Sequence, residues 1–152
     1  MLQRIQTIYL LIAFILSILL FTGPVSRFST ASGEVTVRHS GAFSDSGDRL
    51  DMASWPMTTM FAIVSLLSLY TFLSYKNRIR QMRLAIYLMI VDAGMVGVMV
   101  YFSRFAFRHF GGINNVFQWR IILPLVMLVL FYMAFKAVQK DELLVRSYER
   151  LR

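Results

Sequence analysis

The chain has 152 residues, of which 57% are hydrophobic and only 16% charged, with a mean hydropathy of +0.60. A soluble domain of this size cannot hide so much apolar surface, so the composition excludes an ordinary water-soluble globule and makes lipid the natural solvent. The net charge of +8 is carried by short clusters between apolar runs, as membrane topology requires and nucleic-acid binding does not, and the absence of cysteine excludes disulfide exchange, thiolate metal sites and cysteine nucleophiles.

Four apolar runs stand out, at about 5–22, 55–75, 84–103 and 119–138, and the last three are each close to the ~20 residues a helix needs to cross ~30 Å of hydrocarbon. The expectation is an all-α, integral membrane four-helix bundle forming a single transmembrane domain over 1–152. It has a long first outer loop at 23–54 and a helical cytoplasmic tail at 139–152. In the first run, Arg4 followed by an unbroken core from Ile8 to Phe21 also fits a signal peptide, with Ser29-Thr30-Ala31 as a poor cleavage site. A retained helix is the better reading, because the core can extend through Val25 to spanning length.

The loop at 23–54 is rich in Ser, Gly and Asp and is expected to be solvated and mobile, although Glu34 to His39 alternates weakly, as a short strand or hairpin does. At about thirty residues it is long for a connector, which leaves room for a binding role. Ser54 is expected to cap the second helix, with Pro56 in its first turn and Trp55 at the membrane boundary. The following turn, with Lys76, Arg78, Arg80 and Arg83, reads as a topology anchor touching anionic lipid headgroups, each contact worth about 1 kcal/mol.

Asp92 is the most informative position. It sits mid-way along the third run, where an Asp costs roughly 2.5–3.5 kcal/mol against about 0.3–0.6 returned by each large aliphatic neighbour. It is read either as a proton or cation site or as a neutral carboxylic acid bonded to a nearby helix, with Ser17, Ser65 and Ser68 as expected partners at similar depth. Nearly opposite Asp92, the small residues Ala93, Gly94 and Gly97 make a face suited to close helix approach. Both faces call for protein, so the third helix is expected to be central in the bundle or shared with a second subunit.

Arg104 to Phe110 alternates cations with aromatics and is expected to lie in the outer interface, rings down and charges up. Gly111-Gly112 and Asn114-Asn115 read as a turn. Pro124 is expected to kink or loosen the early fourth helix by removing a hydrogen bond to the Arg120 carbonyl. In the tail, Leu144, Tyr148 and Leu151 form an apolar stripe. His39 and His109 have no spaced ligand partners, so no metal and no cofactor is expected. Ten Lys and Arg fall on the side holding both termini and six on the other, which puts the termini in the cytoplasm by the positive-inside rule.

The opening Met1-Leu2-Gln3-Arg4-Ile5-Gln6-Thr7-Ile8-Tyr9-Leu10, the turn Tyr75-Lys76-Asn77-Arg78 and the ending from Lys140 to Arg152 resemble a Bacteroidetes family of short four-span membrane proteins, catalogued as domain of unknown function 4293. The resemblance covers essentially the whole chain and implies a bacterial inner-membrane location and a retained first helix. It implies no activity or site residues. The expected function is that of a non-enzymatic inner-membrane scaffold or accessory subunit; the alternative is a small proton-coupled transporter or channel component using Asp92. The expected partners are anionic headgroups on the cytoplasmic side and a second copy or another membrane protein, with no nucleic acid.

Overall fold

In hydrocarbon no water is available to backbone N–H and C=O groups, so an apolar run must satisfy them internally and winds into a helix. The computed structural model describes residues 2–31, 33–50, 52, 54–74 and 77–149. Its helices are α1 (Leu2–Leu19), α2 (Trp55–Leu73), α3 (Arg78–His109) and α4 (Ile122–Glu149). Trp55–Leu73, Ile79–His109 and Trp119–Asp141 are long and apolar enough to cross a membrane, and Thr7–Thr22 is a shorter apolar helix.

Each helix packs against two others, in the cyclic order α1, α2, α3, α4. The buried positions recur at spacings of three and four: Leu10, Ala13 and Ser17 on α1; Met57, Phe61, Val64, Ser68 and Thr71 on α2; Met127, Phe131, Ala134 and Val138 on α4. This is the seam of an antiparallel bundle with coiled-coil-like packing. The outward faces are greasy. Ile8, Ile12 and Ile15 on α1, Leu66 on α2, Ile90 on α3 and Val129 on α4 are all exposed, while Ser17, Ser68 and Asp92 are buried. Apolar side chains outside, with polar ones kept among the apolar core, is not the pattern of a water-soluble bundle and matches a lipid solvent.

The expectation of an all-α fold needs correction. The segment between α1 and α2 forms four strands, β1 (Ser26–Thr30), β2 (Gly33–Arg38), β3 (Gly41–Ser44) and β4 (Arg49–Leu50), and the α3–α4 connection adds β5 (Asn114–Phe117). All pair antiparallel in one sheet of order β4-β3-β2-β1-β5. The expected mobile loop is therefore ordered, and the Asn114-Asn115 turn is the start of a strand. The physical reason is alternation. Phe28, Val35, Val37 and Ala42 are buried on one face, in the same core cluster as Leu20, Phe61 and Ala106 of the bundle, while Arg27, Glu34 and Arg38 point to solvent. An isolated hairpin is marginal in water; a sheet with an apolar face on a helical bundle is not.

The third helix is longer than its expected span of 84–103, because 32 residues extend ~48 Å. Its last turns rise beyond the ~30 Å of a hydrocarbon core and give the sheet a wall: Phe28 meets Phe107 edge-to-face at 5.6 Å. Arg104 to His109 continues the helix, with Phe105 stacked between Tyr101 and His109. Gly111, at φ +63°, ends the helix, and the Gly112 N–H closes back on the Phe107 carbonyl at 2.8 Å.

Two local expectations also change. Ser54 is the N-cap residue of α2, but its hydroxyl makes no capping bond; it donates to the His39 carbonyl at 3.0 Å instead. Pro56 does sit in the first turn. Pro124 falls in the first turn of α4, where its missing N–H is harmless, so no kink is required.

Candidate functional site

The first candidate lies inside the bundle. The buried stripe of α3 runs Gln81, Ala85, Leu88, Asp92, Met95, Met99, Ser103 and Ala106. Helical spacing alone therefore aims Asp92 at the bundle interior, and it is 0% exposed. Neither carboxyl oxygen has a hydrogen-bond partner, and the buried hydroxyls of Ser65, Ser68 and Ser103 and the Gln81 amide nitrogen are equally unsatisfied. Ser17 is also buried, but its hydroxyl donates to the Phe14 carbonyl of its own helix at 2.7 Å. The expected bond between Asp92 and Ser17, Ser65 or Ser68 is thus not made. Buried polar groups are normally paired, and an unpaired one marks either a cost or a use.

The small face is turned outward. Ala93, Gly94 and Gly97 are exposed, and a Cβ built at Gly94 or Gly97 would meet nothing within 4 Å. A four-membered ring of helices leaves each helix one outward face, so α3 is not central. Arg80 and Arg83 are exposed near its N-terminal end. Lys76 and the side chain of Arg78 lie outside the described residues, as do the side chains of Leu144, Tyr148 and Leu151; the tail backbone is helical to Glu149.

The second candidate is on the open face of the sheet, and the sequence reading missed it. Strand register sets Arg27 opposite Thr36 and Thr36 opposite Phe43. Glu34 and Arg38 flank Thr36 on β2, two residues away on either side and so on the same face. With Ser44, Asp45 and Gly47 these residues line a pocket of about 440 Å³. The Arg38 guanidinium lies 5.8 Å from the Phe43 ring centroid, a cation–π contact that steadies both walls. Arg49, at the end of the same row, is engaged elsewhere: it donates to the Ser40 carbonyl at 3.0 Å. The available signal was the alternation from Glu34 to His39, which is weak because it covers only two buried valines, Val35 and Val37, between Glu34, Thr36 and Arg38.

His39 joins the sheet to the bundle. It sits in the two-residue turn between β2 and β3, and its carbonyl accepts from Ser54 at 3.0 Å and Thr58 at 2.7 Å. Its ring is edge-on to Phe21 at 5.3 Å and tilted over Phe61 at 6.2 Å. Burial, and after it the Arg38 guanidinium, hold its pKa below the usual 6.5.

A family model described as a domain of unknown function (DUF4293) matches residues 2–151. No curated protein matches the chain.

Proposed function

We propose that the chain, which belongs to the DUF4293 family by a match over nearly its whole length, is a non-enzymatic accessory or scaffold protein of the bacterial inner membrane. It crosses the bilayer four times and presents a sheet on the outer surface. The observation that carries this reading is the sheet itself. Connectors between spans need only a few residues, yet here two separate connectors combine into one five-stranded platform pinned to the bundle by His39. Crossing by α1 is supported by its exposed Ile8, Leu11, Ile12, Ile15 and Ile18 and by 18 helical residues extending ~27 Å. Cytoplasmic termini are supported by the excess of Lys and Arg on that side.

The chain has no cysteine, so single cysteines report topology cleanly. A membrane-impermeant maleimide should label Ser46→Cys in intact cells and Asn77→Cys only after permeabilisation. The reverse pattern overturns the orientation. Cross-linking in native membranes should return a protein partner or a second copy; repeated recovery of neither overturns the scaffold role.

A second reading is favoured by one observation, the unpartnered carboxyl of Asp92 on the same stripe as Gln81 and Ser103. Here the chain is a small proton-coupled transporter or channel component. Intramembrane acids are costly and mark ion or proton paths. Protein in liposomes should then pass protons, and Asp92→Asn should abolish the flux; equal flux in both ends this reading.

A further inference from the structure

The seams of α2 and α3 fix how deep Asp92 lies. The two helices are joined by a short turn between Leu73 and Arg78 and run antiparallel, so residues equally far from that turn share a level to within about one helical turn. Their buried positions match accordingly: Thr71 with Gln81, Ser68 with Ala85, Val64 with Leu88, Phe61 with Asp92 and Met57 with Met95. Asp92 therefore shares a layer with Phe61, which lies ~9 Å along α2 from the exposed Trp55. That is nearer the sheet-side boundary than the middle of a ~30 Å hydrocarbon core. Ser65 and Ser68 lie deeper, toward the turn, which is why neither bonds the carboxyl.

His39 lies against the same layer. Its ring meets Phe21 at 5.3 Å and Phe61 at 6.2 Å, and those two rings meet each other at 5.7 Å. A layer of phenyl rings therefore separates an imidazole from a carboxyl, and both groups are short of partners. Nδ1 of His39 and both carboxyl oxygens of Asp92 are buried and unbonded. Nε2 of His39 is unbonded too, but it is not among the buried atoms. The ring thus has one nitrogen at the surface and one inside, the placement of a proton shuttle. The next layer toward the sheet is Met57 with Met95, whose unbranched thioether chains repack more readily than branched ones. Among the described residues, no charged side chain of α1, α2 or α4 shares the Asp92 layer; the flanking charges are Arg38, beside the imidazole, and Arg120, against Gly23.

We propose that His39 is the proton shuttle of Asp92 on the sheet side of the membrane. A proton from bulk water binds Nε2, the Nδ1 proton leaves inward, and water passing the Phe21–Phe61 pair carries it to the Asp92 carboxylate, which becomes a carboxylic acid. The imidazole is left neutral in its other tautomer, and the reverse order returns the proton. Phe21 and Phe61 keep the passage closed until water enters, so exchange is gated by those rings and by the methionines above them. The inference deepens the second reading, in which Asp92 passes protons, and rests on it.

The test uses the full-length protein in liposomes that hold a pH-sensitive dye, with proton uptake driven by a potassium diffusion potential. Wild type should take up protons and Asp92→Asn should not. His39→Phe, which keeps a ring over Phe61, should lower uptake by about tenfold or more while keeping the wild-type melting profile at neutral pH. Imidazole in the medium should restore uptake to His39→Ala and leave Asp92→Asn silent, each compared with protein-free liposomes given the same imidazole. A merely structural His39 would not give that rescue. Uptake by His39→Phe equal to wild type overturns the proposal, and so does a loss in His39→Ala that imidazole leaves unchanged; either failure leaves the transport reading standing. No uptake by wild type removes the transport reading, and this inference with it.

Discussion

The Thr58 hydroxyl donates to the His39 carbonyl at 2.7 Å, across 19 residues of sequence, and so fastens the turn between β2 and β3 to the first turn of α2. The Ser54 hydroxyl bonds the same oxygen at 3.0 Å. One carbonyl therefore carries the polar part of the junction between sheet and bundle. The rings of Phe21 and Phe61 carry the apolar part, meeting edge-to-face at 5.7 Å beneath the His39 ring.

Thr58→Val keeps the side-chain shape and deletes the donor. A hydrogen bond of this kind contributes about 0.5–1.5 kcal/mol net, so the melting temperature should fall by about 2–6 °C. Phe61→Ala removes a wholly buried ring and should cost about 3–5 kcal/mol. Thermal unfolding in detergent followed by circular dichroism measures both, and a Thr58→Val protein as stable as wild type would show that the bond is redundant with Ser54.

The junction should also respond to acid. His39 titrates below its ordinary 6.5 in the folded protein, through burial first and Arg38 second. The folded state then binds fewer protons than the unfolded state, so stability rises with pH across that window. The contribution is complete above pH 6.5 and is lost as pH falls below it. Melting temperatures from neutral pH down to about pH 5 should decline in wild type, and His39→Phe, which keeps a ring over Phe61, should flatten that part of the curve. An unchanged slope in the variant would assign the acid sensitivity to other groups.

Gly23 is extended and buried, and a Cβ there would run into the Arg120 guanidinium. That guanidinium lies against Gly23 and 5.0 Å from the Trp119 ring centroid. Gly23→Ala should therefore cost less than the about 1–3 kcal/mol usual for overpacking, because the guanidinium is the far end of a flexible side chain and can swing aside. In an Arg120→Ala background most of that cost should vanish, because the obstacle is gone. Additive effects in the double-mutant cycle would show that the two residues do not meet.

Asp92→Leu replaces an unsatisfied buried carboxyl with a side chain of similar size. Removing such a group should return about 1–3 kcal/mol, visible as a higher melting temperature. A lower one would mean that the carboxyl has a bound partner in the membrane. Gly97→Ala, on the outward face of the same helix, meets nothing within 4 Å and should leave stability unchanged or raise it by up to about 1 kcal/mol through helix propensity.

The sequence by itself determined the helices, their solvent and the direction in which Asp92 points. Those are local or periodic properties: an apolar run long enough to span, and a carboxylate on the same helical stripe as Leu88 and Met95. The tertiary structure alone decided three things. It closed the helices into a ring that left Gly94 and Gly97 facing outward and Asp92 without Ser65 or Ser68 as a partner. It redirected the Ser54 hydroxyl from its helix to His39. It also drew β1 and β5, more than eighty residues apart in the chain, into one sheet. Strand pairing of that kind is non-local: the weak alternation of Glu34 to His39 has no stable form until Phe28, Val35 and Val37 find an apolar surface to cover. That surface exists only once the bundle has formed.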